Sequence, residues 1–312
     1  MAGKAGSTVF HDNSRPMPAL ALIFNAFVWG VSWFPFRHIE SHGLHPVWTT
    51  CLIYVAISLA MGFFRRHAWH GFAAFPMLAA LGLAAGLTNL GFNWAVTQGD
   101  VVRVVLLFYL MPLWSVLLGW AVLGERPTAG ALARVALALT GVVVVLKAPG
   151  VDWPVPSSLP DWLGVAAGFS FAVTNILLRH LQSAPGESRA LAMFCGCALV
   201  AGIAAASGTL LGAFASPLAA TPGWIGWAAL LGVGFVVANV CLQYGAARLA
   251  ASATAVIMLS EVLFASVSSV ALGAADMSPR ILAGGALIVL AAVWSAFART
   301  PAAGDDRLSS PT

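Results

Sequence analysis

The chain has 312 residues, of which 60% are hydrophobic and only 8% charged, and its net charge is +4. A soluble globular protein carries about 25% charged residues, so these proportions argue against a soluble enzyme; they also exclude disorder, which needs low hydrophobicity and high charge. The apolar runs are continuous rather than alternating, which excludes a transmembrane β-barrel.

A helix that crosses a bilayer needs about 20 apolar residues, and the chain divides into ten such runs. Residues 1–16 are polar and mixed and read as a tail. The apolar stretch after them is too long for a signal-peptide core, so it reads as a retained first span at 17–36. Further spans are expected at 45–64, 72–98, 102–123 and 129–147. The stretch 148–160 holds Pro149, Pro154, Pro156 and Pro160, which forbid a continuous helix. It reads as a connecting loop between halves of five helices each, 17–147 and 161–298. The second half is expected to span at 161–180, 189–212, 223–246, 253–273 and 280–298, with a second tail at 299–312. The expected fold is therefore all-α and integral to the membrane.

Cytoplasmic segments carry an excess of Lys and Arg. With the N-terminus inside, 11 of the 15 basic residues lie on the cytoplasmic side, and only Arg37, Arg103, Lys147 and Arg280 lie outside. Ten spans return the C-terminus to the cytoplasm. Lys4 and Lys147 are the only lysines, and with the abundant Ala and Gly this points to a GC-rich bacterial gene, hence a bacterial inner membrane. The basic residues form no stripe, so nucleic acid is not an expected partner.

The two halves echo each other. Arg37-His38-Ile39-Glu40-Ser41 matches Arg179-His180-Leu181-Gln182-Ser183 at an offset of 142. From the third helix the offset is 150: Asn89 falls on Asn239, Asn93 on Gln243, Trp94 on Tyr244 and Thr128 on Ser278. Five helices per half make the second half enter from the opposite side, so the reading is of two inverted five-helix repeats. Secondary transporters use that plan and bind substrate near midplane between the repeats.

Polar groups within spans cost free energy unless partnered. Asn89, Phe92 and Asn93 share one face of the third helix, and Asn239 and Gln243 share the related face of the eighth. Facing amides suit hydrogen bonding to a zwitterionic solute; the same pattern also serves as bonding between membrane helices. Trp29 and Ser32 share a stripe with Asn25 and Phe36 on the first helix, and the repeat maps Trp29 to Phe171 and Ser32 to Thr174. Glu261 is the one carboxylate well inside a span, a candidate for proton or ion coupling or for holding a substrate ammonium. Pro35 and Pro112 lie within spans and permit kinks. Gly82 with Gly86, and Gly164 with Gly168, have the small-xxx-small spacing of close helix contacts. Cys51, Cys195, Cys197 and Cys241 all lie in apolar runs and show neither metal nor disulfide spacing.

The stretch Tyr109-Leu110-Met111-Pro112 leads to Gly124-Glu125-Arg126-Pro127-Thr128. This pair of motifs resembles the drug/metabolite transporter superfamily, EamA type, over residues 17–298, and the Tyr-Leu-x-Pro segment is similar to that of aromatic amino-acid exporters. The resemblance implies a ten-helix transporter of small metabolites. The second half departs from the pattern: Glu261 is followed by Val262 rather than proline, and Glu125 maps onto Ala275.

The expected function is export of small metabolites, neutral and aromatic amino acids first, by alternating access. The expected substrate residues are Trp29, Ser32, Asn89, Phe92, Asn93, Tyr109, Met111, Phe171, Asn239 and Gln243, with coupling at Glu261. An exporter of cationic drugs is the rival, since aromatic rings around Glu261 would hold a cation. An integral-membrane enzyme is the distant alternative: the seven histidines lie in loops or span ends, with no His-Glu-x-x-His. No P-loop is present, so neither ATP nor any other cofactor is expected. The expected partners are the small-molecule substrate and the lipid bilayer, and a monomer suffices.

Overall fold

The computed structural model describes residues 16–98, 101–146, 156–217, 220–273 and 278–297. Most of the 148–160 connecting loop, nearly all of both tails, and Ala275 lie outside them. Among the described residues the regular elements are all helical. Seven of them are long and apolar enough to cross a membrane, eight if one sharply bent pair counts as a span. Large apolar side chains such as Leu59, Leu199, Val233 and Leu282 point outward, as a lipid-facing surface requires. The chain is an integral membrane protein.

The first expected span is two helices, α1 (Pro16–Val31) and α2 (Trp33–Ser41). Pro35 has no N–H for the Val31 carbonyl and its ring crowds that turn, so the helix stops there. Ser32 bridges the break: its N–H and its Oγ both donate to the Trp29 carbonyl, at 3.1 and 2.7 Å. The second span is α3 (Pro46–Phe64), where Pro46 takes the first turn and His45 accepts from the Val47 N–H.

The span expected at 72–98 begins later. A short 3₁₀ turn (Arg66–Trp69) and α4 (His70–Ala74) precede α5 (Met77–Gln98), and the axis turns by 111° between them. Pro76 is the cause: it pushes Phe75 out of the helical region, to φ −131° and ψ 78°. The run expected as one helix at 102–123 is also broken, into α6 (Val101–Phe108) and α7 (Met111–Leu123). Here Pro112 cannot donate to Phe108. Then α8 (Ala129–Leu146) closes the first half; α7 and α8 are apolar but shorter than the other spans.

In the second half α9 (Leu159–His180) starts with a reciprocal cap between Ser158 and Asp161. It runs unbroken, unlike α1 and α2: Leu177, at the sequence offset of 142 from Pro35, keeps the N–H that a proline lacks. It is followed by α10 (Gly186–Leu210) and α11 (Trp224–Ala246). The helix expected whole at 253–273 is instead α12 (Ala251–Met258) and α13 (Glu261–Ala271). No proline explains that break. The chain tightens through i−3 bonds, Leu259 N–H to Val256 O at 3.2 Å and Ser260 N–H to Ile257 O at 3.0 Å, and Ser260 Oγ donates to the same Ile257 carbonyl at 2.8 Å. Last comes α14 (Pro279–Phe297).

Glycines let these helices meet backbone to backbone. Gly82 and Gly86 on α5 face Ala192 and Gly196 on α10, and Gly141 on α8 faces Gly284 on α14. Gly168 on α9 lies against the Phe108 carbonyl at the end of α6. Contacts this close supply packing where lipid gives no hydrophobic drive between helices. A methyl at Gly196 would run into the Gly82 backbone, whereas one at Gly226 meets nothing within 4 Å. Gly196→Ala is therefore expected to lower stability in detergent by about 1–3 kcal/mol, and Gly226→Ala to leave it unchanged or raise it by up to about 1 kcal/mol. Unfolding midpoints of the two variants check this, and equal midpoints would remove the close α5–α10 contact.

Candidate functional site

All three intramembrane breaks supply side chains to one cavity of about 80 Å³ between the helices, room for several water centres. Trp29 sits just before the α1/α2 break. Phe108 and Met111 flank the α6/α7 break, and Met258 and Glu261 flank the α12/α13 break; all five line the cavity.

Its walls are aromatic. Trp29 stacks on Phe235 with ring centroids 4.6 Å apart, Phe235 lies 5.8 Å from Tyr54, and Tyr54 lies 6.0 Å from Phe194. On a second wall Phe108 touches Phe92 at 4.8 Å and Phe171 at 6.0 Å. Offset and edge contacts of this kind hold rings in place and leave some faces free.

A set of amides interrupts the rings. Asn89 Nδ2 donates to Ala85 O at 3.0 Å and to Cys197 Sγ at 3.4 Å, while its Oδ1 accepts from Tyr54 OH at 3.2 Å. Asn93 Nδ2 donates to Thr50 Oγ1 at 2.9 Å, which ties α5 to α3. Asn239 Nδ2 donates to Met193 Sδ at 3.4 Å, and its Oδ1 accepts from Gln243 Nε2 at 2.6 Å. Asn25 Nδ2 donates to Ala238 O at 2.7 Å, which ties α1 to α11. The amides thus bond neighbouring helices and face the cavity at the same time.

Of the residues expected to contact substrate, Trp29, Asn89, Phe92, Asn93, Met111, Phe171 and Asn239 line the cavity, as does Glu261. Three do not. Ser32 is turned back on the Trp29 carbonyl, Tyr109 is buried behind Phe108, and Gln243 lies one turn beyond Asn239. The cavity also takes side chains outside that set: Asn25, Tyr54, Thr174, Met193, Phe194 and Phe235 among them. A signal for Phe235 was present, because extending the Asn239 face back by one turn reaches it. Tyr54 shares its face with Thr50 and Ser58, but which way that face turns depends on how α3 crosses its neighbours; Phe194 has no such polar residue one turn away.

Near the end where α9 terminates, Glu125 accepts from two donors, and its partner Arg179 is itself anchored. Arg179 Nε donates to its Oε1 at 2.6 Å, the Ala251 N–H donates to its Oε2 at 3.3 Å, and Arg179 Nη1 reaches Leu249 O at 2.8 Å. The partner is thus Arg179, from the other half of the chain, rather than the adjacent Arg126. No group of three or more His, Cys, Asp or Glu is placed to hold a metal among the described residues.

No curated protein matches the chain. A protein of known crystal structure superposes with a TM-score of 0.73 over 89% of this chain and 96% of its own, at 19% identity; at that identity the likeness is one of fold alone. Residues 16–147 match the EamA-like transporter family. That match covers less than half of the chain, and the multi-span helical architecture of an integral membrane protein agrees with it.

Proposed function

We propose that the chain is a ten-span secondary transporter, two inverted five-helix repeats at 17–147 and 161–298 joined by 148–160. In this reading it exports neutral amino acids with large apolar or aromatic side chains across the bacterial inner membrane by alternating access. Counting α6–α7 as one broken span and α8 as another brings the spans to ten. The breaks at Tyr109–Leu110 and Leu259–Ser260 fall at the repeat offset of 150, so Met111 and Glu261 are repeat-mates. The packing supports the same symmetry. The α5–α9 contact has its counterpart in α11–α1, and the α7–α9 contact in α13–α1.

The observation that carries the substrate reading is the cavity wall: rings from both halves, interrupted by neutral amides, with no Lys, Arg or His in the lining among the described residues. A ring that leaves water for such a wall gains about 2 kcal/mol, or roughly 30-fold over alanine. Glu261 is proposed as the coupling group. The same carboxylate among rings favours the second reading, an exporter of cationic drugs.

Purified protein in liposomes is expected to move labelled phenylalanine and tryptophan stereoselectively and to prefer them to alanine. Trp29→Ala should narrow that preference. Movement of quaternary ammonium compounds with no stereoselective movement of either amino acid would give the second reading its place. If Glu261 carries a proton, Glu261→Gln should abolish pH-driven accumulation and leave downhill exchange intact; normal pH-driven accumulation in the folded variant would remove that role.

Orientation is tested separately. In a background without native cysteines, a cysteine at Ser157 is expected to react with an impermeant thiol reagent in intact cells, and one at Ser183 is not. Equal labelling, or the reverse order, would overturn the inverted repeat.

A further inference from the structure

We infer that the cavity recognises the ammonium end of its solute and makes no ionic provision for a carboxylate, so that a primary amine on an aromatic body binds at least as well as the corresponding amino acid. The inference rests on the reading of this cavity as a solute site, and it narrows the substrate class within that reading.

The first ground is the distribution of charge. Glu261 lines the cavity, and no hydrogen bond or ion pair engages its carboxylate among the described residues. Among the described residues the lining holds no Lys, Arg or His to offset it. Arg179 is paired with Glu125 near the end of α9 and is not part of the lining. With Glu261 ionised, a carboxylate that enters this space meets a like charge and an ammonium an opposite one; with Glu261 protonated, its carbonyl oxygen still accepts from an ammonium.

The second ground is independent of Glu261. Asn25 is buried, and its Nδ2 is fixed by the Ala238 carbonyl at 2.7 Å. A carbonyl accepts only from the amide nitrogen, so this contact settles which way the amide faces. Its Oδ1 is left as an acceptor without a partner, in a residue that lines the cavity. An unpartnered buried acceptor costs about 1–3 kcal/mol, and an ammonium, with three N–H donors and no acceptor, relieves that cost.

The donors on the wall are mostly engaged. Thr88 Oγ1 donates to Ala84 O, Thr174 Oγ1 to Ser170 O, and Tyr54 OH to Asn89 Oδ1. The amides of Asn25, Asn93 and Asn239 each keep one hydrogen, and the Trp29 indole keeps its own. Neutral donors of this kind can orient a carboxylate but do not neutralise it. Ring faces at Trp29, Phe92 and Phe171 add to the preference, because an aromatic face attracts a cation.

The test is titration calorimetry of the purified protein in detergent at pH 7.5, with three ligands that share one ring: phenethylamine, L-phenylalanine and 3-phenylpropanoate. The expected order places phenethylamine equal to or tighter than phenylalanine, and both about tenfold or more tighter than 3-phenylpropanoate. Glu261→Gln should bring the amine and the acid to within about threefold of each other. The wild-type series alone decides the matter should that variant fail to fold. Phenylpropanoate binding as tightly as phenethylamine, or phenylalanine binding while phenethylamine does not, overturns the inference and leaves the solute-site reading standing. Binding of none of the three removes that reading and the inference with it.

Discussion

Opening a helix inside hydrocarbon frees backbone N–H and C=O groups that no water can satisfy, and the cost is several kcal/mol for each group left alone. This constraint organises the molecule. Each of its three intramembrane breaks borders the cavity, where amide side chains offer polar neighbours to irregular backbone. Two of the breaks carry a serine, Ser32 and Ser260, whose Oγ donates back to the carbonyl three residues earlier. Close packing then holds the opened turns. A methyl at Gly30 would lie 2.7 Å from the Glu261 carbonyl oxygen, so only glycine lets α1 run against the α12/α13 break. The side chains presented at the breaks, Trp29, Met111 and Glu261, owe their positions to this arrangement.

The amides answer a second demand of the same kind. Each must satisfy its own donors within the protein and still offer something to the cavity. Asn93 does so by bonding Thr50, and Asn25 by bonding the Ala238 carbonyl. Asn25 and Asn93 thus tie neighbouring helices together from within the cavity wall.

Much of this was legible in the chain. Apolar runs located the helices to within a few residues, because hydropathy is a local property. Pro35 and Pro112 marked two breaks through their missing N–H. The break at Leu259–Ser260 was invisible, since Val262 carries no local instruction to stop a helix; there tertiary packing against Gly30 and the Ser260 hydroxyl decide. The bend at Pro76 moved the start of α5 because the apolar run continues through the turn. At the site, helical spacing found Asn89, Phe92 and Asn93 together but could not tell how far along a face the cavity extends. Gln243 therefore fell beyond it, and Tyr109, beside a break that alters the local rotation, fell behind Phe108. Tyr54 and Phe194 reach the wall only through how α3 and α10 cross, which spacing along one helix does not encode.

The two ends of the bundle are held by different physics. Where α9 ends, Glu125 and Arg179 join the two halves through charge, with side chains about one fifth exposed. At the opposite end the contacts are ring on ring: His38 stacks 4.3 Å from Phe34 and 4.8 Å from Trp227, and His45 lies 4.1 Å from Phe214. Burial lowers the His45 pKa although Glu40 acts the other way, so the ring there stays neutral at neutral pH. Separating the first end exposes two charges to water, which hydrates them well and screens them with salt. Separating the second exposes apolar ring surface, on which salt screening has no hold. The two ends thus differ in what resists their separation, charge pairing at one and apolar ring contact at the other.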